Sequence, residues 1–200
     1  MPSLIPITEF KTVEMYGKKY VCIDAETAAK TLLTAFKLEK RFGSQSDEFA
    51  KWVRSQLATP TVFTDATLCA PYPPPDISEI LEAWREFVKS MNIRYTPPEI
   101  FDCDDFARMF QEFVANRFRM NVQGRFWGIL QICEDGKCEG GGHAYVWMLY
   151  PALLSEDTLF VIPLLIEPQL DTFTIPDSEG EGHIFGTNIS LGYISYAALE

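Results

Sequence analysis

Apolar residues in the first 120 positions recur mainly at the three- and four-residue spacing of amphipathic helices. Segment 10–23 differs, because Tyr16-Gly17 inside it predicts the turn of a short hairpin. The helical spacing predicts helices that begin near Asp24, near Ser46, at Asp76 and at Cys103. Proline, threonine and alanine dominate residues 59–75, which predicts a loop before the third of these helices.

Beyond Asn121 the apolar spacing shifts towards two, the period of a β-strand. This spacing predicts strands near 125–133, 138–149 and 158–167, and a last strand within 183–197. Asp135-Gly136 is a strong signal for a two-residue hairpin turn between the first two strands. Helices followed by hairpin-linked strands predict an α+β fold, with a helical layer packed on an antiparallel sheet.

The predicted loop at 59–75 divides the chain into two parts. Residues 1–75 are predicted to form an N-terminal helical annex and residues 76–200 the core, with both parts in one compact unit. The length of 200 residues suits a single domain, and 47% apolar residues can build a sizeable hydrophobic core.

Charge and apolar run length restrict the partners and the location. The formal charge of −11 argues against a nucleic-acid backbone or an anionic membrane as the main partner. No apolar run approaches the roughly 20 residues of a membrane-spanning helix, and the first residues lack a signal-peptide pattern. We therefore expect a soluble, cytoplasmic protein without an organic cofactor.

Cys103 is the first candidate for chemistry, because it stands in the first turn of a predicted helix that Asp102 would cap. Unpaired backbone N–H groups and the helix dipole favour a thiolate at this position. The carboxylates of Asp102, Asp104 and Asp105 oppose it by like-charge repulsion. They therefore either cap the helix or ligate a divalent cation such as Ca²⁺ or Mn²⁺. The alternative is that Cys103 is a small buried residue behind an acidic cap.

A base and an orienting group follow later in the chain. His143 comes after three glycines at the start of a predicted strand, where it can act as the general base for Cys103. Glu167 ends a strongly apolar run and is the candidate that orients the imidazole, with Gln169 and Asp171 as rivals. The alternative for His143 is a histidine that satisfies its hydrogen bonds in a turn. The alternative for Glu167 is simply the polar end of a strand.

The five cysteines are an odd number, so at least one thiol is free. In a two-residue hairpin Cys133 would face Cys138, with their Cα atoms roughly 4.5 Å apart. That distance permits a strained cross-strand disulfide. A reduced pair is expected inside a cell.

The motifs Phe101-Asp102-Cys103-Asp104-Asp105-Phe106-Ala107, Gly141-Gly142-His143-Ala144 and Glu167-Pro168-Gln169 occur in this order. Together they resemble the papain-like cysteine peptidase domain of the Marasmius oreades agglutinin type, which also occurs in bacterial and phage proteins. The Asp-Cys-Asp-Asp core is similar to that of bacterial transglutaminase-like cysteine proteases. The resemblance covers about residues 95–171 and has no counterpart for the N-terminal third.

The resemblance implies a papain-like or transglutaminase-like fold with Cys103 as nucleophile, His143 as base and Glu167 as orienting residue. It also implies Ca²⁺ or Mn²⁺ as an activator, for which Asp102, Asp104 and Asp105 are the candidate ligands among these residues. The lectin half of the agglutinin is absent, so sugar binding is not carried over. The backbone N–H of Cys103 can supply one oxyanion-hole donor; no second donor is evident upstream of it.

These features predict a cysteine hydrolase that cleaves peptide or amide bonds in a peptide or protein substrate through an acyl-enzyme. One alternative is a non-catalytic structural or interaction protein with a papain-like fold. An example is a phage particle component, which would belong to a larger protein assembly and be located in the virion. A second alternative is amide transfer to an amine acceptor, as in transglutaminases, which uses the same residues.

Overall fold

A computed structural model describes residues 5–6, 11–37, 67–96, 101–134, 137–155, 158–180, 182–184 and 187–198. Within these ranges the chain forms three helices and ten strands. Their order is β1 (Ile5–Pro6), β2 (Lys11–Met15), β3 (Lys18–Asp24), α1 (Ala25–Ala35), β4 (Thr67–Pro71), α2 (Ile77–Ser90), α3 (Cys103–Phe118), β5 (Gln123–Glu134), β6 (Lys137–Ser155), β7 (Thr158–Glu167), β8 (Thr172–Thr174), β9 (Gly182–Ile184) and β10 (Thr187–Ala198).

Each described helix begins after an aspartate whose side chain accepts a hydrogen bond from a backbone N–H of the first turn. Asp24 accepts from the N–H of Thr27, and Asp76 accepts from that of Ser78, both at 2.8 Å. These starts confirm the predictions at Asp24, Asp76 and Cys103. The helix predicted near Ser46 lies outside the described residues.

Seven strands form the main sheet, in the order β1-β7-β6-β5-β10-β9, with β8 also paired to β7. All of these pairings are antiparallel. The predicted strands at 125–133, 138–149 and 158–167 are confirmed, and the region 183–197 holds β10 together with the short β9. The prediction of an α+β fold with helices packed against antiparallel sheet is confirmed.

A second, three-stranded sheet corrects the prediction for residues 59–75. Thr67–Pro71 is not loop but strand β4, which pairs with β3, while β3 also forms the predicted hairpin with β2. Leu68 and Ala70 are buried alternately with more exposed neighbours, so the period of two is present but spans only five residues. A proline at its end and the threonine-rich segment before it obscured this strand in the sequence. Residues 59–66 lie outside the described residues.

A continuous hydrophobic cluster joins the elements. The ring of Trp84 on α2 packs edge-on against Phe110 on α3, with 5.3 Å between their centroids. Phe36, just after α1, packs in the same way at 5.0 Å against Phe126 on β5. The cluster therefore contains residues from both 1–75 and 76–200, and the boundary at residue 75 stays a prediction. None of the helices described above is long and apolar enough to cross a membrane.

The sheet register places the two later candidate residues close together. Val146 on β6 pairs with Ile166 on β7, so one step further Tyr145 stands opposite Glu167. His143 precedes Tyr145 by two residues and therefore lies on the same side of β6. The amino-terminal end of α3, which packs on β6, brings Cys103 to this place.

Candidate active site

Cys103 is the first residue of α3, and its position is fixed by reciprocal capping bonds. The N–H of Asp104 donates to Oδ1 of Asp102 at 3.3 Å, and the N–H of Asp102 donates to Oδ2 of Asp105 at 3.5 Å. This is a capping box, with Asp105 in the place usually held by Glu or Gln. The prediction that an aspartate caps this helix is confirmed. The cap leaves Cys103 in the first turn, half-buried and as a free thiol.

The sulfur of Cys103 contacts β6 directly. The backbone N–H of Ala144 donates to Sγ at 3.3 Å, and Ala144 immediately follows His143. The Cys103 side chain is also one of the groups that raise the pKa of the His143 imidazole. The helix-opening cysteine and the strand histidine, 40 residues apart in sequence, are therefore neighbours in the fold.

Glu167 holds the other side of the imidazole. Its Oε2 is in hydrogen-bond contact with Nε2 of His143, and its Oε1 accepts the N–H of Gln169 at 3.1 Å. Because Nε2 is used by Glu167, Nδ1 is the ring nitrogen that remains for Cys103. The Glu167 side chain is 9% exposed and that of His143 is 16% exposed. The pair therefore lies largely out of water, where a charge needs a partner.

The charge state of the imidazole follows from these contacts. Burial lowers the pKa of His143, but hydrogen bonds and charge interactions with Cys103 and Glu167 outweigh it and raise the pKa to about 9. The imidazole therefore carries a proton at neutral pH. An imidazolium next to the sulfur stabilises a thiolate there.

In the described part of the chain, neither rival for the orienting position bonds the imidazole of His143. Asp171 pairs with Arg85, with Oδ2 and Nε 3.1 Å apart. Gln169 contributes its backbone N–H to Glu167. Its side-chain Nε2 is buried without a hydrogen-bond partner among the residues that the structure describes. Of the three candidates, Glu167 is the one whose side chain bonds the imidazole.

The three aspartates beside the thiol are not equivalent. Asp105 pairs with Arg108 at 2.7 Å. A hydrogen bond with the side chain of Asp102 raises the pKa of Asp104 to about 6, and burial and the charges of Asp102 and Asp105 add to the effect. Asp104 is therefore partly protonated in weakly acidic solution. Above about pH 6 the carboxyl of Asp104 is mostly charged, and this negative charge lies close to the sulfur of Cys103.

These residues fit a hard cation poorly. Ligand atoms of Asp102, Cys103 and Asp104 lie within 4.8 Å of one another, whereas Asp105 from the predicted set faces Arg108. Ca²⁺ takes six to eight oxygen ligands, and this set offers two carboxylates and a sulfur. A cation bound there would also cover the nucleophile. We therefore assign no chemical step to a cation.

Two contacts around the site had no clear signal in the sequence. Trp84 on α2 donates its indole N–H to the carbonyl oxygen of Pro168 at 2.8 Å, which fixes the segment after Glu167. In sequence Trp84 belongs to an ordinary apolar helical stripe, so nothing distinguished it from a core residue. The bond from the Ala144 N–H to the sulfur is a backbone contact, which no residue identity reveals.

The remaining cysteines pair with one another across neighbouring strands. Cys22 on β3 and Cys69 on β4 form a disulfide across paired strand positions. Cys133 and Cys138 are paired in the register of β5 and β6, as the hairpin signal predicted.

These contacts bring a thiol, an imidazole and a carboxylate from α3, β6 and β7 to one place. A thiol beside a basic imidazole, which is itself oriented by a third group, is the arrangement that nucleophilic catalysis needs. No family model, curated protein or solved structure matches this chain.

Proposed function

We propose that this protein is a cysteine hydrolase of papain-like architecture that cleaves peptide or amide bonds through an acyl-enzyme. The observation that carries the proposal is that the sulfur of Cys103 accepts the N–H of Ala144, next to His143, whose imidazole contacts Glu167. A helix that presents the thiol and a sheet that presents the base and the acid support the papain-like arrangement. Cys103 is the nucleophile, His143 the acid and base, and Glu167 the orienting residue.

The chemistry follows from these roles. The Cys103 thiolate adds to the carbonyl carbon of the substrate, which forms a C–S bond and an oxyanion. The imidazolium Nδ1–H of His143 protonates the departing amine nitrogen as the C–N bond breaks, which leaves a thioester. Water then gives a proton to the neutral imidazole and its oxygen adds to the thioester. The C–S bond breaks, the carboxylic acid leaves and the thiolate is restored. Glu167 stabilises the imidazolium in both halves of the cycle.

The oxyanion needs hydrogen-bond donors. The backbone N–H of Cys103 is one candidate, at the amino-terminal end of α3. Our candidate for the second is Nε2 of Gln169, which is buried without a partner in the described part of the chain and follows Glu167 by two residues. An unpaired buried donor is unfavourable in the free protein. An oxyanion in reach would satisfy it.

One observation favours the alternative, a non-catalytic protein with a papain-like fold in a larger assembly such as a phage particle. The carboxylates of Asp102 and Asp104 lie close to the sulfur, and the negative charge they share opposes a thiolate. The imidazolium of His143 acts in the opposite direction. If the imidazolium has the larger effect on the sulfur, Cys103 is a thiolate and the protein can act as an enzyme. If the carboxylates have the larger effect, the protein is the non-catalytic alternative.

Cleavage of a broad mixture of peptides, read by mass spectrometry, tests the hydrolase. We expect new carboxyl termini with the wild-type protein and none with Cys103→Ala. Asp171→Asn, which changes a surface ion pair, is the matched control and should cleave as the wild type does. A primary amine added to the mixture reports transfer, because amidated products would show that an amine replaces water in the second half-reaction. Equal cleavage by Cys103→Ala would contradict the assignment of the nucleophile.

A further inference from the structure

Trp84 contacts the elements that carry both halves of the thiol site. Its side chain is fully buried, and its ring packs edge-on against Phe110 and Phe113 of α3, with 5.3 and 5.5 Å between the centroids. Its indole N–H donates to the carbonyl oxygen of Pro168 at 2.8 Å, and Pro168 directly follows Glu167. One side chain thus joins the helix that presents the thiol to the segment that presents the acid.

The Pro168 carbonyl belongs to a tight turn. The N–H of Leu170 donates to the carbonyl oxygen of Glu167 at 3.2 Å, so residues 167–170 form a β-turn. The central peptide group of this turn joins Pro168 to Gln169. In a trans peptide the C=O and the N–H point in opposite directions. The direction of the Pro168 carbonyl therefore also sets the direction of the Gln169 N–H.

The Gln169 N–H in turn holds the Glu167 carboxylate. It donates to Oε1 at 3.1 Å, while Oε2 contacts Nε2 of His143. A chain of hydrogen bonds thus runs from the Trp84 indole through the central peptide group and the carboxylate to the imidazole. Hydrogen bonds in such a chain polarise one another. Glu167 is 7% exposed, so protein groups rather than bulk water decide where its carboxylate points.

Two orientations of the central peptide group are compatible with a β-turn. Type I and type II turns differ by a rotation of this group through about 180°, and proline suits the second position of both. The rotated form needs a positive φ at Gln169, which disfavours it without excluding it. Rotation would turn the Gln169 N–H away from the Glu167 carboxylate. It would also turn the Pro168 carbonyl away from Trp84, so the indole hydrogen bond stabilises the observed orientation.

We propose that Trp84 is a positioning residue of the thiol site. By holding the Pro168 carbonyl it keeps the Gln169 N–H on Oε1 of Glu167, and so keeps Oε2 against the His143 ring. The role in catalysis rests on the proposed hydrolase, whereas the positioning itself is measurable without a substrate.

The variant Trp84→Phe tests the proposal, because it removes the indole N–H and keeps an aromatic ring in the core. The pKa of His143, followed by NMR of its Cε1–H, should fall from about 9 towards about 6.5, by at least about half a pH unit. The reason is that a carboxylate no longer fixed contacts the ring less. Circular dichroism and urea unfolding show whether the variant is folded.

Phe87→Leu is the matched control. It removes a ring that stacks on Trp84, with 5.7 Å between the centroids, and leaves the indole N–H in place. The pKa of His143 should therefore stay as in the wild type. A fall as large as that in Trp84→Phe would overturn the proposal, because the effect would then come from packing and not from the hydrogen bond. An unchanged or raised pKa in folded Trp84→Phe would overturn it as well.

If Trp84→Phe does not fold, the wild type decides. The indole N–H resonance of Trp84 should shift as His143 titrates near pH 9, because the hydrogen-bond chain connects the two rings. In His143→Gln this shift should be absent. A wild-type resonance that does not respond in this pH range, or one that responds equally in both proteins, would contradict the proposal.

The peptide-cleavage test gives a separate answer about the hydrolase. If the wild type cleaves no peptide while Trp84→Phe lowers the pKa of His143, the hydrolase is wrong and the positioning stands. If the wild type cleaves and the pKa is the same in Trp84→Phe, the positioning is wrong and the hydrolase stands.

Discussion

Oε2 of Glu167 contacts Nε2 of His143, on the side of the ring that Cys103 does not use. This contact fixes both the orientation of the ring and the position of its proton towards the sulfur. It is also one of the interactions that raise the pKa of His143 to about 9 against the opposing effect of burial. Glu167 and Cys103 thus determine both the orientation of the imidazole and its charge.

The variant Glu167→Gln tests this relationship. Removal of the carboxylate charge should lower the pKa of His143 from about 9 towards its ordinary value of about 6.5. The chemical shift of the imidazole Cε1–H, followed by NMR as a function of pH, measures it. Hydrolysis should fall by about 10²-fold, because the general acid and base is then disordered and less basic. An unchanged titration curve would show that Glu167 does not set the charge of the ring.

Stability should depend on pH through the same histidine. Because the folded-state pKa of His143 is raised, its contribution to stability is fully present below about pH 6.5 and is lost as the pH rises through about 9. We expect the free energy of unfolding to fall by about 1–3 kcal/mol from this source between pH 6.5 and 10. Urea titrations at several pH values measure the loss. In His143→Gln the slope in this window should be clearly smaller; an identical slope contradicts the prediction.

The carboxyl of Asp104 should also make the free energy of unfolding depend on pH, in a lower pH range. Its folded-state pKa is raised to about 6, so its contribution to stability is present below about pH 4 and lost as the pH rises through about 6. Asp104→Asn removes the negative charge and keeps an amide that can donate to Asp102. Relative to wild type the variant should be more stable at pH 7.5, by about 1 kcal/mol or less because the site is partly exposed to solvent. The gain should vanish at pH 4.

The acidic cluster should not bind calcium tightly. Capping and pairing already engage Asp102 and Asp105, and the remaining donor set is small and contains a sulfur. Calorimetric titration with Ca²⁺ and Mn²⁺ should show no saturable binding at Asp102 and Asp104. Asp105→Asn is the control, because Asp105 pairs with Arg108 and is not one of these two acids. Stoichiometric binding that Asp104→Asn abolishes would restore the cation as an activator.

Local signals in the sequence were sufficient to predict the start of α3 and its capping residue. Asp102 followed by Cys103 and an apolar helical stripe predicts a helix start, because capping depends on residues within one turn. The same locality made β7 and the hairpin register of Cys133 and Cys138 predictable. Strand β4 was missed because five residues after a threonine-rich segment give too short a pattern to detect.

The choice among Glu167, Gln169 and Asp171 could not be made from the sequence. It depends on the register of β6 against β7 and on a distant arginine that takes up Asp171. A contact made by a backbone group, such as the Ala144 N–H on the sulfur, has no signature in residue identity. The hydrogen bonds of the buried Gln123 amide could not be predicted for a related reason. Whether a buried amide is satisfied depends on the carbonyl groups that the tertiary fold brings to it.

A short alkylation pulse tests the central claim, that His143 activates Cys103. Iodoacetamide is applied at pH 6.5 and the peptide that contains Cys103 is quantified by mass spectrometry, with the single cysteine of a short unstructured peptide as the reference thiol. Cys22 and Cys69 are joined in a disulfide and contribute no thiol to the reaction. Wild-type Cys103 should react about tenfold or more faster than the reference, whose thiol titrates near pH 8.5, and His143→Ala should lose this advantage. If Cys103 reacts no faster than the reference, or equally fast in both proteins, the carboxylates dominate the site and the hydrolase proposal is wrong.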